Sequence, residues 1–206
     1  MYIEKLAANL KRQDEQPNIE VAEMLVLHED KKGVLEIVQG LKQKKAIAND
    51  CIKVLYEVGE RNPQLITDYA ASFLDALLSK NNRLVWGAMT ALVMIADDKA
   101  DEIFQQIDKV IYAYKNGSVI TIDNSISVFA KLCRADKKYE KELFPLLIEH
   151  LSTCRPKEVA QHSERAAICI TDSNRELFIE TLENRKQDLT PPQTKRVNKL
   201  IKKLQA

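Results

Sequence analysis

Four cysteines, three histidines and several adjacent carboxylates are the residues here that could bind a metal, attack a carbonyl or move a proton. The cysteines are Cys51, Cys133, Cys154 and Cys169, and the histidines are His28, His150 and His162. No two cysteines form a CxxC pair, and no histidine sits at metal-finger spacing from them. Histidine catalysis needs partners in space, and the spacing supplies none. His162 is expected to hydrogen-bond toward the closing helices, and Cys51 and Cys169 to be packed, inert thiols. Asp97-Asp98 and Asp101-Glu102 resemble an acid/base pair but flank an expected helix start, where carboxylates complement the dipole. P-loop, GxGxxG, HExxH and GxSxG patterns are absent. The sequence therefore names no catalytic residue, no metal ligands and no cofactor.

The remaining candidates are binding residues. From Thr190 onward Lys195, Arg196, Lys199, Lys202 and Lys203 occur with no acid, opposite the stripe Val197, Leu200, Ile201, Leu204. Such a helix suits an anionic surface or, more simply, a solvated terminal cap. Across the chain 31 basic residues balance 30 acidic ones, which disfavours a duplex-binding surface. The first residues lack a leader-like apolar core, and no apolar run approaches the ~20 residues of a membrane span. A reduced, cytoplasmic setting with no membrane span is expected.

These residues must be positioned by helices. Gly and Pro number 5 and 6, and apolar residues recur at i, i+3, i+4 and i+7, as in Val85, Ala88, Met89, Leu92, Ile95. The expected helices are 2–13, 18–29, 32–41, 43–60, 63–79, 81–97, 99–115, 118–135, 138–152, 156–170, 173–187 and 191–204. Asn62-Pro63, Asn116-Gly117-Ser118 and Thr190-Pro191-Pro192-Gln193 read as helix punctuation.

At an offset of 37, Val58, Ile95, Leu132 and Cys169 fall in register, as do Leu55, Leu92, Phe129 and Ala166. Cys51, Ala88, Ser125 and His162 hold a register of small residues with one exception, and Ile37, Leu74, Ile111 and Ile148 repeat in the first helices. A two-helix unit cannot bury its apolar faces alone, so neighbours must stack. The expected fold is an all-α, right-handed superhelical solenoid of antiparallel helix pairs. It forms one domain over 1–206: N-terminal capping helices at 1–31, four repeats at 32–170 and a closing pair at 171–206.

The signature Val85-x-x-Ala88-Met89-x-x-Leu92-x-x-Ile95, its copies over 32–170, and Pro145 within a first helix resemble the HEAT-repeat family. HEAT repeats often carry Arg directly after the first Val, paired with Asp; here Asn49, Trp86, Asp123 and Ala160 stand there, so the ladder is missing. The resemblance implies an inner groove lined by second helices that docks a protein or peptide, without catalysis. Trp86, the single tryptophan, points by helical phase toward Thr90, Asp123 and Ser127. The candidate groove residues are Asn49, Trp86, Thr90, Met94, Asp123 and Ser127. The alternative implied by the resemblance is a DNA alkylation-repair glycosylase. Its basic groove is not matched by Lys53, Thr90, Ser127 and Glu164, which sum to neutral, or by Glu60, Asp97, Arg134 and Thr171.

Overall fold

Helical periodicity with few breakers produces a chain that is helical almost throughout. The computed structural model describes residues 1–205, and among them there is no strand. Ala206, the last residue of the expected domain, lies outside the described residues. By contact density the chain divides into two compact units, Met1–Ser125 and Ile126–Ala206.

The first unit opens with a 3-10 turn at Ile3–Lys5 and continues with α1 (Gln16–Leu27), α2 (Lys31–Gly40) and α3 (Lys45–Arg61). Short 3-10 turns lead into α4 (Ala70–Ala76), followed by α5 (Asn82–Ile95), α6 (Ala100–Gln105) and α7 (Ile107–Asn116). Helix α8 (Val119–Ala135) runs through the division. The second unit continues with α9 (Lys137–Thr153), α10 (Pro156–Ala166), α11 (Arg175–Arg185) and α12 (Pro191–Gln205).

The second helices α3, α5, α8 and α10 begin at Lys45, Asn82, Val119 and Pro156, each 37 residues after the last. The registers are buried as their periodicity requires. Val58, Ile95 and Leu132 have no exposed surface, and Cys51, Ala88, Ser125 and His162 are likewise sealed. Within the first unit α3 packs between α1 and α5, and within the second α10 packs on α12. Small side chains let the helices approach closely: Gly87 of α5 faces Ile52 of α3, and Gly40 of α2 faces Cys51 of α3. In the first helices Ile37 and Leu74 are buried but Ile111 and Ile148 only half so; the sealed positions there are Val110 and Leu147, one residue earlier.

Several expected elements differ. Residues 2–13 do not form one α-helix. The N–H groups of Ile3, Ala7 and Ala8 donate to the side chains of Glu36, Asn18 and Asp50. Lys11 adopts φ 55 and closes the turn through Arg12 N–H to the Ala7 carbonyl at 2.9 Å. The span 63–79 breaks because Asn62 makes no side-chain cap, and Pro63 starts a 3-10 turn instead. The span 99–115 divides between α6 and α7 at Gln106. Ser118 does begin α8, its Oγ accepting the Thr121 N–H at 3.5 Å. Gln193 accepts the Thr190 N–H at 2.8 Å, the glutamine half of the expected capping box. Pro145 lies inside α9 as expected.

Candidate functional site

The polar registers of α3 and α5 face one another across the first unit, and there Trp86 finds its partners. It is half-buried, and its ring lies 5.6 Å from that of Tyr56 at 44°. The Arg83 guanidinium sits 5.9 Å from the indole centroid, a cation–π distance. Arg83 also pairs with Glu15, which lies 3.3 Å from the Lys53 ammonium. Lys53 is 8% exposed, stands 4.8 Å from the Tyr56 ring, and bonds Glu57 at 2.5 Å. Arg61 completes the row, meeting Glu57 at 2.5 Å and Glu23 at 3.8 Å.

The network sets the charge states. Burial alone would lower the Lys53 ammonium, but hydrogen bonds to Glu57 and Tyr56 hold it above its ordinary value. Burial alone would raise the Glu57 carboxyl; hydrogen bonds from Lys53 and Arg61 outweigh it and keep the group below the usual carboxylate range. Burial pushes the Tyr56 phenol up. Cations and carboxylates are therefore matched along this face.

The other expected groove residues are placed as follows. Asn49 accepts from the Asn81 amide at 2.7 Å. Thr90 donates to the Trp86 carbonyl at 2.9 Å and accepts from Asn124 at 2.8 Å. Met94 lies against Gly59 of α3, and Asp123 is half-buried on α8. Ser127, in the second unit, is buried and accepts from Arg165 at 2.7 Å. On α12 Lys195, Lys199, Lys202 and Lys203 are exposed, while Arg196 binds both oxygens of Glu164 at 3.0 and 2.6 Å.

Tyr56, Lys53, Arg83 and Glu15 complete the Trp86 environment but were not among the expected groove residues. A signal for Tyr56 exists: its register otherwise holds Val93, Ala130 and Ala167. Two large aromatics in columns of smaller residues are candidates for a shared contact.

A second cluster was also missed. The Nδ1 of His162 lies 2.7 Å from Nε2 of His150, the last-turn histidine of α9. Cys154, which ends α9, brings a third donor, and the three ligand atoms lie within 4.8 Å of one another. The overlooked signal is the pattern His150-x3-Cys154-x7-His162. Arg185 holds the corner, donating to the carbonyls of Leu151 at 2.5 Å and Cys154 at 2.7 Å. Burial raises the Cys154 thiol, and the neighbouring Arg185 guanidinium opposes that rise. The core cysteines behave as packed thiols: burial pushes Cys51 up to about 12, and a hydrogen bond with Cys169 together with burial pushes Cys133 up.

The sequence matches no protein-family model, and no curated protein matches it. Solved structures do match. An engineered protein superposes with a TM-score of 0.69 at 15% identity, over 98% of this chain and 96% of that one. A computationally designed armadillo repeat protein for modular peptide recognition gives 0.65 at 10% identity, over 98% and 97%. Another designed armadillo repeat protein gives 0.65 at 11% identity, over 98% of each. The fold is a HEAT/armadillo-like helical repeat solenoid. No helix among the described residues is long and apolar enough to cross a membrane.

Proposed function

We propose that this chain is a non-catalytic docking module, working in the cytoplasm, that holds an extended protein segment against the second-helix face of its first unit. The observation that carries this reading is Trp86, half-open, braced by Tyr56 and Arg83, and flanked by amide and hydroxyl pairs. A braced indole offers a large contact area with little conformational entropy to lose. Asn49, Asn81, Thr90 and Asn124 can both donate and accept, as an extended backbone requires. The designed armadillo neighbour is, by its description, a peptide-recognition protein, and repeat stacks present continuous surfaces of this kind.

Charge favours a peptide over a nucleic acid. Lys53, Arg61 and Arg83 each contact a carboxylate, so the face is not an open basic surface for phosphates. The test is a peptide selection against the whole chain, followed by titration of the selected peptides while recording tryptophan fluorescence. Docking at this face changes the emission of the single tryptophan, and Trp86→Ala weakens binding by about 30-fold or more, the ~2 kcal/mol of an interface anchor. Unchanged affinity in a folded Trp86→Ala variant overturns the site. Binding of DNA with steep salt dependence, in place of peptides, overturns the partner class.

A further inference from the structure

The end of α9 and the second turn of α10 bring two imidazoles and a thiol together, one of the imidazoles in a column where the repeat otherwise places small side chains. His162 replaces Cys51, Ala88 and Ser125, and His150 stands where the earlier repeats have Gln39, Ala76 and Ala113. In the earlier repeat α2–α3 the corresponding corner is closed by Gly40 against Cys51. In the fourth repeat it is filled by polar donors from both helices.

The geometry points to a cation site: we propose that His150, Cys154 and His162 bind one zinc-type d10 cation, clipping the end of α9 to α10. His150 and Cys154 stand one helical turn apart, with the Cys154 N–H bonded to the His150 carbonyl at 2.7 Å, so both project from the same side of the helix end. His162 supplies the third donor from α10, and it is fully buried, as a ligand held by its helix should be. Two nitrogens and a sulfur are the donor set that zinc prefers over hard cations such as magnesium or calcium.

Distances agree with modest adjustment. Zinc–nitrogen bonds of about 2.0–2.1 Å and a zinc–sulfur bond of about 2.3 Å set tetrahedral ligands roughly 3.3–3.6 Å apart. The observed separations bracket that range, from 2.7 Å between the imidazoles to at most 4.8 Å across the trio. The cation takes the place of the proton that the two imidazoles now share, and they open by about 0.6 Å. That imidazole proton moves to the far nitrogen of its own ring and is not lost. The Cys154 thiol gives up its proton to solvent, so one proton is released for each cation bound. Cys154 is half-buried, which leaves a fourth position for water and a path of entry.

The surroundings fit an ordered site. Arg185 fixes the carbonyls of Leu151 and Cys154, and its charge supports a thiolate.

The experiment uses the whole chain, stripped of metal by chelation and dialysed against Zn2+, with Co2+ as the optical probe and Cu+ as a separate arm. Expected are one zinc retained per chain, a raised melting temperature with zinc, a thiolate-to-cobalt charge-transfer band, and release of one proton. Cys154→Ser abolishes the cobalt band and weakens zinc by at least about 100-fold, more than an outer-shell loss would. His150→Gln does the same while keeping an amide in the corner, and circular dichroism verifies that both variants fold. Retention of no zinc, equal binding by Cys154→Ser, or a preference for Cu+ with no zinc binding each overturns the proposal.

Discussion

Gly87→Ala tests whether the 37-residue offset marks direct contact between consecutive second helices. Two opposing effects can be weighed. Alanine in a helix interior is favoured over glycine by about 1 kcal/mol, so without a neighbour the change stabilises. A Cβ at Gly87, however, lies 2.6 Å from Cγ1, 3.1 Å from Cγ2 and 3.5 Å from Cβ of Ile52. Ile52 is completely buried and β-branched, so it cannot swing aside; moving one γ carbon away brings the other in. Over-packing of this kind costs about 1–3 kcal/mol, and contact with both γ carbons places it in the upper part of that range. The net expectation is a loss of about 1–2 kcal/mol, or a melting temperature roughly 2–8 °C lower for a chain of this size. Thermal and urea unfolding followed by circular dichroism give the number. Combining Gly87→Ala with Ile52→Ala removes the obstructing carbons, and the double variant should be about 1–2 kcal/mol better than the sum of the singles. A Gly87→Ala protein that melts higher than the parent would refute the close approach of α3 and α5, and with it the stacking account of the repeat.

Two other outcomes follow from buried polar groups. Arg185 is 8% exposed and satisfies the last carbonyls of α9, so Arg185→Met leaves them without their donor and costs about 2–4 kcal/mol in urea unfolding. Arg185→Lys recovers less than half of that loss, because a single ammonium cannot span both carbonyls in the plane that the guanidinium fork fits. The depressed Glu57 carboxyl stabilises the fold above the ordinary glutamate value of about 4.3, and that contribution is lost as pH falls through the lower folded value. Urea midpoints measured from neutral pH downward should therefore show Glu57→Gln below the parent at neutral pH, the two curves converging in acid.

Much of the fold was legible because each helix buries a stripe and the stripes recur. The starts at Lys45, Asn82, Val119 and Pro156 follow from registers such as Val58, Ile95, Leu132 and Cys169. Periodicity reports which face is buried, though, and not whether backbone donors have a better acceptor elsewhere. That is why residues 2–13 were expected to form a helix while Glu36, Asn18 and Asp50 took N–H groups there. The groove candidates illustrate the same boundary. Trp86 was visible as an outlier in its column, and Arg83, three positions before it on α5, was within reach of helical spacing, but Tyr56 and Glu15 lie 30 and 71 positions away. Spacing along one helix cannot reveal a partner supplied by another.

Both candidate sites arise where the repeat departs from its own columns, and the physics of burial explains the coincidence. A sealed apolar column contributes only packing, so any apolar side chain of suitable volume serves there. A polar or outsized side chain in such a column is costly unless a complementary departure meets it. Trp86 and Tyr56 are a complementary pair on a half-buried face of α5 and α3, their rings 5.6 Å apart. His162 and His150 are another: an imidazole at the fully sealed register of α10 needs a donor or acceptor, and the second imidazole on α9 supplies it at 2.7 Å. Since the hydrogen bond alone satisfies that need, it does not account for a thiol converging on the same point. Cys154 has the Leu151 carbonyl at 3.9 Å and the Arg185 guanidinium as neighbours, and its convergence on the two imidazoles is what a cation would use.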